Sequence, residues 1–212
     1  MVRTTGARRS GRPTPAEAEQ IDRDVRDAAL ALFLERGYDG TTMDAIAQAA
    51  GTTKASLYAR FDSKEAVFSA VLDAATRRPD WPIPEPPPPD LDDLEGALTE
   101  IAQAGLARAV HPSMVKLSRI AIAEAARFPE LARRAQSNST WARREFVVEL
   151  LLRHAGSGAI VADEPEILAE HFLAMAVGMP ARLASFGIVR DAATQAHYTR
   201  VAVDLFVGGL RP

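Results

Sequence analysis

The chain has 212 residues, enough for one domain of ordinary size and a smaller second one, and with 47% hydrophobic and 25% charged residues it has the composition of a folded protein. Its formal net charge is −3, so any affinity for nucleic acid needs a local concentration of positive charge. It contains no cysteine, which excludes disulfides, thiolate catalysis and zinc sites with cysteine ligands.

The N-terminal residues carry four arginines and no acid. Glycine and proline interrupt residues 1–13, so a regular helix is disfavoured and we predict a flexible basic arm. Such an arm either follows a DNA backbone or enters a minor groove, or it is a solvated tail without a role. No apolar segment follows it, as a signal peptide would require, and charges interrupt the later apolar runs. We therefore expect a cytoplasmic protein with no membrane partner.

The first predicted helix covers Pro15 to Arg36, where apolar residues recur at three- and four-residue spacing and form one stripe. Gly37 ends it. Three more helices are predicted before a proline-rich segment, the last of them ending near Arg78. Residues 14–78 are therefore expected to form one small helical domain.

The stretch from Thr41 to Lys64 predicts two short helices joined by a tight turn. The first covers Met43–Ala50 and the second covers Thr53–Phe61, while Gly51 suits a left-handed turn because it has no Cβ. Three apolar side chains can close a miniature core between them: Ile46, Leu57 and Phe61. This is the helix-turn-helix pattern, in which the second helix enters the DNA major groove, although a packed hairpin without a DNA-binding role has the same spacing.

The orientation of the second helix assigns roles to its side chains. Placing Leu57 inward puts Ala55 and Ala59 on the outer side, so the backbone can approach the groove floor, where alanines contact thymine methyls but donate no hydrogen bond. Tyr58, on the flank, is placed to reach a phosphate. Base reading would then fall to the polar residues of the helix and its entry: Thr52, Lys54, Ser56 and Arg60.

The sequence from Leu32 to Asp73 closely resembles the N-terminal DNA-binding domain of the TetR family of transcriptional regulators. The matching marks lie in register: Phe33, Gly37-Tyr38, Thr41-Thr42, Ile46-Ala47, Ala50-Gly51, Leu57-Tyr58, Phe61 and Ser63-Lys64-Glu65-Ala66. The resemblance implies an all-α fold of about nine helices. A helix-turn-helix domain of three helices plus a linking fourth would be followed by a larger helical domain for ligand binding and homodimerisation.

The same resemblance implies which residues touch DNA. In this family the positions matching Thr42, Thr53, Ser56, Tyr58 and Lys64 commonly contact it. Arg60 stands where the family often has histidine or another polar residue, so both a base contact and a phosphate contact stay open for it. Lys64 lies in the first turn of the fourth helix, where its charge opposes the helix dipole. Stability therefore does not explain this lysine, and a phosphate partner would.

The segment 79–90 departs from the family pattern. Residues 79–89 hold half of the chain's 14 prolines, so we predict an extended, semi-rigid linker rather than a helix. A docking site for a proline-recognising partner is the alternative.

Residues 91–212 are predicted to be helical throughout and to form the ligand-binding and dimerisation domain. The turn Ala123–Leu131 resembles one found in the ligand-binding half of one branch of the TetR family. The last two helices, about 165–187 and 191–210, carry apolar residues on more than one face, which favours a homodimer interface formed twice by two-fold symmetry. They could instead be central helices of a single subunit. A pocket between helices is predicted near large apolar residues: Met114, Leu117, Trp141, Phe146, Phe172, Met175 and Met179.

The pattern gives no support to catalysis. The four histidines, His111, His154, His171 and His197, are scattered without metal-ligand spacing, and no nucleophile, phosphate-binding loop or carboxylate pair stands out. We expect no metal, no cofactor and no enzymatic activity.

Together these features predict a homodimeric DNA-binding regulator. Two-fold symmetry requires a palindromic operator of double-stranded DNA, from which a small-molecule effector would release a repressor. An activator of the same fold fits the sequence equally well. The competing class is a helical small-molecule-binding protein or enzyme that does not act on DNA.

Overall fold

The computed structural model describes residues 14–77, 83–84 and 86–211, apart from the side chains of 76–77 and 131–142. The predicted basic arm lies outside the described residues. Of the predicted linker 79–90, residues 83–84 and 86–90 are described, and they form neither helix nor strand.

The described residues form nine helices and no strand, which confirms the predicted all-α fold. In chain order they are α1 Pro15–Arg36, α2 Met43–Ala49, α3 Lys54–Tyr58, α4 Lys64–Arg77, α5 Leu94–Ala109, α6 Pro112–Ala123, α7 Pro129–Gly156, α8 Pro165–Ser185 and α9 Ala192–Leu210. The chain divides into two compact units, Met1–Val67 and Phe68–Pro212. The boundary between them falls inside α4, which is therefore shared by both units.

Helix α1 has the predicted bounds, and local interactions account for both of its ends. Thr14 and Glu17 form a capping box: the Glu17 N–H donates to the Thr14 hydroxyl, and the Thr14 N–H donates to the Glu17 carboxylate. At the other end the Gly37 N–H donates to the Phe33 carbonyl over 3.0 Å. The apolar stripe faces inward and leaves Val25, Ala29, Leu32 and Phe33 buried.

Helices α2 and α3 pack around a small core and meet at a left-handed glycine. Gly51 has φ +63°, and its N–H donates to the Gln48 carbonyl. Ile46 and Leu57 are fully buried, as predicted, whereas Phe61 is only half-buried.

Helix α3 is shorter than the predicted span 53–61. Thr53 has an extended backbone and is the N-cap, not a helical residue. After Tyr58 the chain tightens into a turn, in which the N–H groups of Arg60 and Phe61 both donate to the Leu57 carbonyl. The recognition element is therefore one and a half helical turns, extended by this short turn.

The second unit is organised around one apolar core shared by α5, α7, α8 and α9. At its centre the rings of Phe172 and Phe206 lie 5.0 Å apart between centroids. This core is built from apolar residues at helical spacing, which the sequence pattern indicated for each of the four helices.

Helix α8 corrects an expectation about membranes. Its 21 residues are long and apolar enough, by length and composition alone, to cross a bilayer. We expected charged residues to break up each apolar run, but between Leu168 and Ser185 only two charged residues occur, Glu170 and Arg182. One side of α8 packs against α5, α7 and α9, so the helix is built into the bundle on that side.

A π-helical turn, Ala174–Gly178, divides α8 into two α-helical parts, Pro165–Leu173 and Met179–Ser185. Within it the Met179 N–H donates to the Ala174 carbonyl, five residues earlier. Pro180 follows directly and has no N–H to donate, so the helical hydrogen-bond pattern is interrupted at this point.

Candidate nucleic-acid interface

The outer surface of α3 has the predicted arrangement. Leu57 is fully buried and anchors the helix, while Ala55 and Ala59 are exposed on the other side. Tyr58 is 43% exposed. Small side chains thus leave the backbone of α3 accessible, which permits close approach to another surface.

Hydroxyl groups mark the N-termini of both helices. The Thr42 hydroxyl accepts from the Ala45 N–H and the Thr53 hydroxyl accepts from the Ser56 N–H, each over 3.1 Å. Both threonines are exposed, and a hydroxyl that accepts one hydrogen bond still carries a hydrogen to donate. Thr52 and Ser56 are half-buried beside them. The two caps therefore hold the hydroxyls in fixed positions on the same surface.

Lys54 forms an ion pair with Asp44, an acid in the first turn of α2. Its Nζ lies 2.7 Å from Oδ1 of Asp44, and both side chains are well exposed. The hydrogen bond and the negative charge of Asp44 raise the pKa of Lys54, so the lysine stays protonated. A carboxylate on this surface also offsets the positive charge that a phosphate backbone would meet.

Arg60 is held by the first helix. Its Nη1 lies 2.9 Å from Oδ1 of Asp22 and donates to the Ala18 carbonyl over 3.4 Å. The arginine side chain is only 17% exposed. This geometry ties the turn after α3 to α1. The role of Arg60 in base reading stays a prediction.

Lys64 is tied to the turn between α1 and α2. Its Nζ donates to the Tyr38 carbonyl over 2.8 Å and to the Thr41 carbonyl over 3.0 Å, and it lies 4.2 Å from the centroid of the Tyr38 ring. Contrary to expectation, contacts within the unit do explain this lysine, because two carbonyls and an aromatic ring surround its ammonium group. A third N–H of the ammonium group remains for a further acceptor.

The partners of these basic residues could not be recognised from local patterns. Asp22 lies 38 residues before Arg60, and the carbonyls that Lys64 contacts belong to residues 23 and 26 positions earlier. Helical periodicity places residues on faces of one helix but does not pair faces of different helices. For Asp44 and Lys54 a local signal did exist, because they lie in the first turns of two helices that a short turn joins.

The predicted pocket residues are not found in a common environment. Leu117 and Phe172 are buried, Met114 and Phe146 are half-buried, and Met175 and Met179 are exposed; the side chain of Trp141 lies outside the described residues. A shallow groove of about 310 Å³ lies instead on α7 and α8, lined by Arg144, Glu145, Val148, Glu149, Leu152 and Glu166. The pocket assignment stays a prediction.

Metal-ligating side chains do not cluster within the part of the chain that the structure describes: it contains no group of three or more His, Asp or Glu residues able to hold an ion.

Comparison with known proteins explains this arrangement. Residues 25–71 match the family described as bacterial regulatory proteins, tetR family. Residues 96–209, more than half of the chain, match the C-terminal domain of AefR-like transcriptional repressors. The chain belongs to the TetR family of transcriptional regulators. The two matched regions together include the helix-turn-helix and nearly all of the second unit.

Two relatives match only a short part of this chain. The biofilm operon negative transcriptional regulator IcaR of Staphylococcus aureus is 55% identical over 44 residues, and SrpR, a transcriptional regulator of Pseudomonas putida, is 43% identical over 61 residues. These matches cover 21% and 29% of this chain, and the chain spans only 24% and 29% of the length of those two proteins.

Solved structures extend the likeness to the whole chain. The flavonoid-responsive regulator FrrA has a TM-score of 0.76 and 31% identity, with 92% of this chain and 98% of that chain covered. A TetR-family regulator from Mesorhizobium loti has a TM-score of 0.74 and 24% identity, with 94% and 100% covered, and supports the fold alone.

Proposed function

We propose that the protein is a transcriptional repressor that binds a palindromic operator as a homodimer. The observation that carries this proposal is α3 itself: a short helix fixed by buried Leu57, with Ala55 and Ala59 outermost and capped hydroxyls beside it. A helix whose outermost residues are alanines can lie in a major groove with its backbone close to the base edges. The family's match to repressor domains favours repression over activation.

The contacts divide into two groups. Thr42, Thr53 and Tyr58 are exposed and would bond phosphates or base edges, joined by Thr52, Lys54 and Ser56 at the helix entry. Arg60 and Lys64 would act chiefly by fixing α3 and the turn before α2. Residues 14–78 would form the DNA-binding domain and residues 91–212 the regulatory domain.

The homodimer would form through α8 and α9. Large apolar side chains are exposed on both helices at three- and four-residue spacing: Met175, Met179, Tyr198, Val201 and Leu205. Pairing this face about a two-fold axis would bury it and would deliver two copies of α3 to half-sites about 34 Å, or a multiple of that, apart.

The effector would be a small, mostly apolar aromatic molecule. The relative that covers nearly the whole chain at 31% identity is described as flavonoid-responsive, which favours a polyphenol of that class. Binding would release the operator only if the ligand prefers the subunit spacing that does not fit DNA. With this role the protein would be a cytoplasmic regulator without catalytic activity or a cofactor.

Fluorescence anisotropy with duplexes from the DNA flanking the gene tests the proposal. A duplex containing an inverted repeat should bind, and its affinity should fall steeply as the salt concentration rises. A plot of the logarithm of the binding constant against the logarithm of salt concentration should have a slope of about −0.9 per phosphate neutralised. The competing function, a helical binding protein or enzyme that ignores DNA, predicts no salt-dependent binding to any duplex.

Tyr58→Phe separates a phosphate contact from packing. It removes one hydroxyl and should weaken binding on all duplexes alike by about tenfold or more, because a hydrogen bond to a charged group contributes about 1.5–3 kcal/mol. Ser118→Ala, which removes an exposed hydroxyl on α6 of the second unit, is the control and should leave DNA affinity unchanged. Equal affinities of Tyr58→Phe and the unmodified protein would remove Tyr58 from the interface.

A further inference from the structure

Two polar groups on α9 are buried without a hydrogen-bond partner among the residues that the structure describes. They are the hydroxyl of Thr199, a residue only 2% exposed, and Nε2 of the half-buried Gln195. Four residues separate them, so they lie one above the other on the same side of the helix. Native interiors rarely leave such groups unsatisfied, because their lost hydration is not replaced.

Beyond this pair, the same buried side of α9 becomes part of the apolar core. Val203 and Phe206 follow along the same side of α9 and are buried, and the Phe206 ring lies against Phe172. The buried side of α9 thus changes from polar at Gln195 and Thr199 to apolar further along. A polar end beside an apolar wall is the usual arrangement of a small-molecule site.

The neighbours of this pair follow from how the helices run. The Val161 N–H, just after α7, donates to the Leu210 carbonyl at the end of α9, and the His154 ring near the end of α7 lies 3.1 Å from the Leu91 carbonyl, just before α5. The end of α9 and the start of α5 therefore lie at the same end of the unit. Since α5 and α9 pack together, the Gln195 end of α9 faces the second half of α5.

The π turn of α8 provides a further wall. It packs against both α5 and α9, and Pro180 deprives one of its carbonyls of a helical donor. On α5, Gly105 allows the turn to approach: a Cβ there would lie 3.0 Å from Cγ2 of Val177. A π turn inside an α-helix is uncommon and occurs frequently at functional sites.

We propose that Gln195 and Thr199 form the polar end of the effector site, between α9, α5 and the π turn of α8. Its ligand is a neutral aromatic molecule with a carbonyl or hydroxyl oxygen that accepts from the Gln195 amide and a hydroxyl that donates to Thr199. Both orphan groups are uncharged, so they match the hydrogen bonds of a neutral ligand. Arg143, whose Cδ would lie 3.2 Å from a Cβ at Gly105, is already engaged in an interaction within the protein. This inference deepens the proposed function and rests on it for the class of ligand.

Calorimetric titration of the full chain with the flavanone naringenin tests the site. Thr199→Val and Gln195→Leu should each weaken binding about tenfold, because each leaves a ligand oxygen without its partner. Thr99→Val, whose hydroxyl donates to the Glu95 carbonyl, and Gln103→Leu, an exposed residue of α5, are matched controls and should bind like the unmodified protein.

Thermal unfolding without ligand provides the second readout. Thr199→Val is nearly isosteric and removes a hydroxyl that has no partner, so the unfolding midpoint should stay the same or rise. A lower midpoint together with unchanged naringenin affinity would show a hydroxyl satisfied within the protein, for example by an ordered water, and would overturn the proposal.

Two other outcomes would also overturn it: no binding of naringenin to the unmodified protein, or equal affinities for all five proteins. Neither result would touch the operator-binding experiment, which is done without ligand. Failure of the effector site and failure of the DNA-binding proposal are therefore distinguishable.

Discussion

At the scale of single residues, the basic side chains around α3 are used inside the protein as well as on its surface. Arg60 donates hydrogen bonds to Asp22 and Ala18, which belong to α1. Lys64 donates to Tyr38 and Thr41, which lie in the turn that follows α1. A cation that is anchored in this way fixes the helix beside it. Its effect on DNA affinity would then come through the position of α3.

Arg60 could act on DNA binding by positioning α3 or by contacting DNA directly. Substitution of its partner Asp22 distinguishes these roles, because they predict opposite changes in operator affinity. If Asp22 positions Arg60, Asp22→Asn should weaken operator binding about twofold to fivefold, the scale of a partly exposed ion pair. If Arg60 contacts DNA directly, the same change frees the arginine and should strengthen binding. Anisotropy titrations distinguish the two outcomes, and Asp24→Asn, a more exposed acid on the same helix, is the control.

A charge exchange completes this test. The double variant Asp22→Arg with Arg60→Asp should recover much of the lost affinity, because the ion pair is restored in reverse. A double variant no better than Arg60→Asp alone would contradict the positioning role.

Asp44 is expected to limit DNA affinity. Its carboxylate lies 2.7 Å from the Lys54 ammonium group, on the surface that carries the candidate contacts. Asp44→Asn removes a negative charge and frees the lysine, so operator affinity should rise about threefold at low salt, and the salt dependence should steepen by roughly one released ion. Asp39→Asn, at an exposed acid in the turn before α2, is the control. Unchanged affinity and slope in Asp44→Asn would place Lys54 away from the phosphates.

At the scale of elements, the sequence predicted most of the helices because their ends are encoded locally. Thr14, Thr42, Asp93 and Asp191 accept hydrogen bonds from the first turns of α1, α2, α5 and α9, and prolines begin α6, α7 and α8. The elements that were predicted less well depend on packing. The short α3 ends in a turn that the Arg60–Asp22 pair holds against α1, which the periodicity of one helix does not report. The π turn in α8 packs against α5 and α9, but it also lies directly before Pro180, so its position has a local cause in the sequence.

The N-cap of α9 gives a pH-dependent stability. Hydrogen bonds from the backbone and then the side chain of Thr194 lower the pKa of Asp191 below its usual value. A depressed pKa means that the stabilisation is fully present above the ordinary pKa and is lost as pH falls through the folded value, hence below about pH 4.

The comparison of Asp191→Ala with the unmodified protein measures this effect. The difference between their unfolding midpoints should be constant from neutral pH down to about pH 4 and should narrow below it. Thr42→Ala, which removes an uncharged N-cap hydroxyl from α2, should show no such narrowing. If the gap stayed constant down to the acid limit of folding, the carboxylate charge would not contribute to the cap.

At the scale of the whole molecule, α8 and α9 carry more apolar surface than one subunit uses. Leu205 is 66% exposed and Met179 is 51% exposed, although both lie on helices whose other sides form the core. The same surplus makes α8 apolar enough to cross a bilayer by composition. A second subunit that covers this face would account for it without a membrane, and it would also supply the second copy of α3 that a palindromic operator needs.

Leu205→Glu tests this account in one variant. A charge at the centre of the proposed face would be buried unpaired in the dimer, so the protein should be monomeric by sedimentation at micromolar concentration. Operator affinity should then fall by about a hundredfold or more, because each half-site must be bound separately. Leu152→Glu, at a leucine of α7 that is also more than half exposed, is the matched control and should stay dimeric and bind normally. A Leu205→Glu protein that remained dimeric would move the interface away from α9, and a monomer with full operator affinity would remove the need for two-fold symmetry.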